Sequence, residues 1–66
     1  MKDRQSIIRS LQKYNNGARV ITAAEFARFL GISDRHAKRK LAGLPTFENK
    51  YYFVPDVADM ILKAMS

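Results

Sequence analysis

Residues 22–42, TAAEFARFLGISDRHAKRKLA, constrain this chain more than any other stretch, because they hold start, stop and restart signals for two short helices. Thr22 and Glu25 are spaced as a capping box: the hydroxyl accepts a first-turn amide while the carboxylate reaches back to the Thr22 amide. Glu25 is thereby accounted for without catalysis. In the helix that follows, Ala23, Phe26, Ala27 and Leu30 fall on one stripe. Gly31 interrupts it, and Ile32 plugs the gap between two helices. Ser33 then caps a second helix beginning at Asp34, whose charge suits the positive end. A small Ala27 lets the helices cross closely, and Ala37 and Leu41 face back inward. The pattern predicts a helix-turn-helix.

Only Ala37 and Leu41 face inward on helix 34–42. Its outer face carries Arg35, Lys38 and Arg39, with His36 and Lys40 at the edges. Like charges three or four residues apart repel by a few tenths of a kcal/mol, a penalty that a phosphate-lined groove removes. The whole chain carries twelve Lys and Arg against six Asp and Glu, a net +6, which points to a polyanion. The expected partner is double-stranded DNA, with this helix in the major groove. Arg35, Lys38 and Arg39 are expected to carry the major-groove contact, with arginine as the reader of guanine through O6 and N7. Ser33 and the first-turn amides suit a phosphate, and His36 a base or a phosphate. A-form RNA, whose deep, narrow major groove does not admit a helix, is the poorer fit.

The flanking segments supply the rest of a core. Residues 3–14 are predicted helical, with Ile7, Ile8, Leu11 and Tyr14 inward and Arg9 and Lys13 on a solvated face. Asn15-Asn16-Gly17 stops that helix. Arg19-Val20-Ile21 is a short extended piece able to pair with strands elsewhere. Gly43-Leu44-Pro45 ends the basic helix.

Thr46-Phe47 and Tyr51-Tyr52-Phe53-Val54 then form a hairpin across Glu48-Asn49-Lys50. A two-residue turn separates Phe47 from Tyr51 and Phe53; a three-residue turn puts all three on one face. Burying three aromatics is worth several kcal/mol at ~25 cal/mol per Å². The three-residue turn is therefore expected, with Phe47, Tyr51 and Phe53 toward the core and Thr46 and Tyr52 out. Asn49 and Lys50 at its tip are expected DNA contacts. Pro55 opens a closing helix with Val57, Ala58, Ile61, Leu62 and Met65 as its apolar stripe. Phe29 and Met60 lie off the edges of their stripes, as peripheral core.

Composition narrows the function classes. A chain of 66 residues is expected to form one small domain, and one of this size buries only about 60% of its unfolded surface. It has no cysteine, so disulfides and thiolate metal sites are excluded and a reducing cytoplasm is the natural setting. The lone His36 has no partners at metal-ligand spacing. The start, MKDRQSIIRS, lacks a leader's apolar run, and nothing approaches the ~20 apolar residues of a membrane span. No nucleophile–base pair or Gly-rich phosphate loop is present, so no enzyme and no cofactor is expected.

Helix, short strand, capped helix, turn, basic helix, hairpin and closing helix is the order of a winged helix, mainly α with a small β-hairpin. From Val20 to Leu62 the chain resembles the excisionase and MerR-type group of small winged helix-turn-helix domains. ITAAEFARFLGIS, the GLP after the basic helix, and YYFVPDV leading into the last helix carry the resemblance. Ala37 and Lys40 depart from it, standing where a larger aliphatic and an apolar residue are common, and the N-terminal helix is an addition. The resemblance implies sequence-specific duplex DNA binding with the wing along a neighbouring minor groove or phosphate strand. It further implies an excisionase-like factor of a phage or integrative element, steering an integrase, or else a small transcriptional regulator. Without a coiled-coil extension, cooperative monomers on repeated sites are expected rather than a stable dimer. A winged helix reused for protein interaction is the alternative of another class.

Overall fold

The computed structural model describes residues 3–65. Along the chain run α1 (Arg4–Gln12), β1 (Val20–Thr22), α2 (Ala23–Leu30), α3 (Asp34–Leu41), β2 (Thr46–Phe47), β3 (Tyr51–Phe53) and α4 (Val54–Met65). The described residues thus form four helices and a small antiparallel sheet of order β1-β3-β2. None of these helices is long and apolar enough to cross a membrane.

Helix α1 starts at a cap the sequence reading did not single out. The Asp3 carboxylate accepts the Ser6 amide at 2.7 Å. That amide, and then the Ser6 hydroxyl, hold the Asp3 carboxyl below its ordinary value. The helix ends two residues earlier than the expected 14, at Gln12, and Asn16 (φ 60°) and Gly17 (φ 77°) take the left-handed conformation that turns the chain.

Asn15 does something different from a stop signal. Its side chain is buried, and its Nδ2 donates to the carbonyls of Ala18 at 3.1 Å and Val20 at 2.7 Å, pinning the loop to the head of β1. The buried Oδ1 makes no hydrogen bond, which trims the net gain. Replacing Asn15 by Ala should cost about 1–3 kcal/mol, since the Val20 carbonyl at the head of β1 loses this donor and the Ala18 carbonyl in the loop keeps only Gln12 Nε2 at 3.3 Å. Asn15→Asp should do no better, because a carboxylate only accepts. A urea midpoint unmoved by either change would contradict this role.

The hairpin has the expected register and the opposite orientation. Phe47 pairs with Tyr51 and Thr46 with Tyr52, leaving Glu48–Lys50 as a three-residue turn. Yet Phe47 (53%) and Phe53 (37%) are exposed, and it is Tyr52 that packs against the core. The cause is the third strand. β1 pairs with β3 so that Ile21, which is fully buried, stands opposite Tyr52. Cross-strand partners share a face, so Ile21 carries Tyr52 inward and sends Tyr51 and Phe53 out. Thr46 shares that inner face but stays exposed on the edge strand.

Most of the helical core stands as expected. Phe26, Ala27, Ala37, Leu41, Val57 and Ala58 are buried in one cluster with Ile7, Leu11, Ile21 and Val54. Val54 is not a strand residue: it opens α4, ahead of Pro55, and its amide donates to the Arg19 carbonyl at 2.9 Å. Leu30 (40%) and Met65 (57%) are exposed, although both belonged to predicted stripes. Phe29 packs against the core in place of Leu30, stacked near Phe26 and edge-on to Tyr14 at a centroid distance of 5.7 Å. Tyr14, expected inside, is itself largely exposed. Met60 is peripheral core, as expected. An ion pair from Arg4 Nε to Asp59 Oδ1 (2.7 Å) links α1 to α4 at the surface.

Candidate nucleic-acid interface

The geometry between α2 and α3 is set by local chemistry. Thr22 Oγ1 accepts the Glu25 amide at 3.2 Å while Glu25 Oε1 accepts the Thr22 amide at 2.9 Å, so the box that fixes the start of α2 is complete. Gly31 ends the helix at φ 74°, ψ 35°, and both its amide and that of Ile32 donate to the Ala27 carbonyl. A residue with a Cβ would be strained in that left-handed conformation. Ile32 packs on the core, and Ser33, in extended backbone, starts α3 by accepting the His36 amide on its Oγ at 3.1 Å.

On α3 only Ala37 and Leu41 are buried. Arg35, His36, Lys38, Arg39 and Lys40 are all exposed. Five of the predicted site residues, Ser33, Arg35, His36, Lys38 and Arg39, therefore lie on this helix and its cap. The Ser33 hydroxyl uses an oxygen lone pair for the cap and keeps its proton free to donate. Asn49 and Lys50 belong to a separate element, the β2–β3 turn, where Glu48 (φ 57°) and Asn49 (φ 55°) are left-handed. Lys50 Nζ stands 5.3 Å from the centre of the Tyr51 ring, a cation–π distance. Glu48 shares the exposed tip and balances the Lys50 charge, which the sequence reading left out of account.

The helix dipole explains some of these cations and not others. Lys38, Arg39 and Lys40 occupy the last turn, where the partial negative charge favours them. Arg35 stands in the first turn, against the dipole, and one turn from Arg39. Its position costs the free helix a little stability, and no contact within the fold accounts for it among the described residues.

Sequence reasoning missed the outer sheet face, where Phe47 and Tyr51 lie with ring centres 6.4 Å apart beside exposed Phe53. The aliphatic residues Ile21 and Val54 were the available signal.

Compared with protein-family models, with curated protein sequences and with solved structures, the chain has no significant match.

Proposed function

We propose that this chain is a winged helix-turn-helix protein that binds double-stranded DNA sequence-specifically. In this reading α2 and α3 are the helix-turn-helix, α3 enters the major groove, and the β2–β3 hairpin is the wing. The observation that carries it is the division of α3: two small or aliphatic residues anchor it, and every other position after Asp34 is basic and exposed. Arg35 and Arg39 read base edges, guanine being the natural target of an arginine fork. Lys38, His36 and the Ser33 hydroxyl hold phosphates, and Asn49 and Lys50 grip the backbone from the wing. The likeness of ITAAEFARFLGIS, GLP and YYFVPDV to excisionases supports a role as an excisionase-like factor of a mobile element, working beside an integrase.

One module covers a small footprint, so monomers bound cooperatively on repeated sites supply the affinity. Neutralising about six phosphates makes binding steeply salt-dependent: affinity should fall about a thousandfold between 50 and 200 mM salt. A mobility-shift titration across that range checks it. Binding that ignores salt, or no binding to any duplex selected from a random pool, would sink the proposal.

A further inference from the structure

The outer face of the sheet carries an apolar cluster with no place in the major-groove reading. Phe47 and Tyr51 face each other across β2 and β3, and Phe53 follows two residues along β3 on the same side. Neighbouring strands lie about 4.8 Å apart and residues i and i+2 about 6.7 Å, so the three rings form one small platform. Lys50 stands over the Tyr51 ring and brings a positive charge to its edge. Phe47 and Phe53 are the more exposed rings, and Tyr51, partly buried, pairs with Phe47 and precedes Phe53 by two positions on the same face.

Two occupants suit an exposed aromatic face, a second copy of the chain or the flat faces of unpaired bases. Size decides between them. Three short strands offer a footprint on the order of 100 Å². A stable dimer buries about 600 Å² or more on each partner. The platform is several-fold too small for a dimer and matches two or three bases. Charge decides the same way: a chain of net +6 repels its own copy and attracts a polyanion. Bases stacked inside a duplex cannot reach such a face, whereas those of an opened strand can.

We infer that the outer sheet face is a second nucleic-acid site, on which Phe47 and Phe53 stack unpaired bases while Lys50 holds the adjoining phosphate. The site is distinct from α3, and it suits DNA in which a strand has been opened beside the bound duplex.

An oligonucleotide of eight thymidines, labelled at one end, tests this by fluorescence anisotropy at 50 mM salt, with the ring protons of Phe47, Tyr51 and Phe53 followed by NMR. Binding should shift those rings. Phe47→Ala with Phe53→Ala should weaken it at least about fivefold, while Phe53→Tyr should keep it. Phe47 is half exposed and Phe53 about a third, so the double variant should melt below the parent but remain folded at the temperature of the titration, which circular dichroism checks. The variant Arg35→Glu with Arg39→Glu separates the two sites: it should lose sequence-specific duplex binding and retain the ring shifts, so either site can fail without the other. Absence of oligonucleotide binding, or binding indifferent to both phenylalanines, overturns the inference. So does sedimentation showing a dimer that the double alanine variant dissociates, which would assign the face to a second copy.

Discussion

Reversing the charge of both arginines on α3, Arg35→Glu with Arg39→Glu, should abolish sequence-specific duplex binding without unfolding the domain. Each bidentate arginine–base contact is worth about 1–3 kcal/mol, so losing two weakens specific binding by about 30-fold or more. The added carboxylates also meet phosphates head-on, which deepens the loss. Stability should hardly move, because surface substitutions of this kind fall within about 0.5 kcal/mol. A glutamate at 35 even improves the helix, since it sits in the first turn where the dipole favours an anion and three residues before Lys38. Arg39→Glu works the other way, since it puts an anion in the last turn and four residues from the new carboxylate at 35. The expected pair of results is therefore a lost specific band shift and a melting temperature within a few degrees of the parent's. If sequence-specific duplex binding survives, α3 is not the reading helix, and the protein-interaction class of winged helix becomes the better account.

The same variant separates base reading from phosphate attraction. Lys38, Lys40 and Lys50 remain, so weak non-specific binding should persist at low salt, with a flatter dependence on ionic strength. Lys38→Ala alone should weaken all duplexes about equally, because a phosphate contact carries no sequence information. The contrast depends on the division seen on α3, where Ala37 and Leu41 take all of the packing and leave the basic side chains to solvent.

What the sequence disclosed is what local chemistry decides. Thr22 and Glu25 lie three residues apart and satisfy each other, so their box is visible before any tertiary contact is known. Gly31 and Ser33 are equally local, as is the three-residue turn between Phe47 and Tyr51. The orientation of the hairpin was not local. It depends on Ile21, which reaches β3 from thirty-one positions away, and counting three aromatics against one chose the wrong face. A burial argument confined to one hairpin weighs only its own side chains, whereas the sheet follows the strand that the core holds most firmly. Phe29 and Leu30 show the same limit. Leu30 was expected on the α2 stripe and Phe29 at its edge, yet the Tyr14 ring packs against Phe29 and Leu30 is exposed. The basic face of α3 was legible because its two inward residues are so few, and the aromatic platform was missed because its rings had been assigned to the core.

Phe26→Ala should unfold the domain. Phe26 is the largest of the fully buried side chains and stacks near Phe29 in the centre of α2. Truncating such a residue costs about 3–5 kcal/mol, as lost transfer energy and as the cavity left behind. A core in a chain this short seldom supplies more than about 3–5 kcal/mol in total, so the whole margin is consumed. Far-ultraviolet circular dichroism at 25 °C should show a largely unfolded chain, and duplex DNA should restore part of the helical signal, because a ligand that binds only the folded form adds its binding energy to folding. Phe26→Leu keeps much of the volume and should leave a folded but less stable protein. The comparison isolates packing as the cause, since neither change touches a charge or a hydrogen bond. A cooperative melt of Phe26→Ala close to the parent's would mean that Leu11, Ile21, Leu41, Val54 and Val57, the other large and fully buried side chains, hold the fold without α2's central ring.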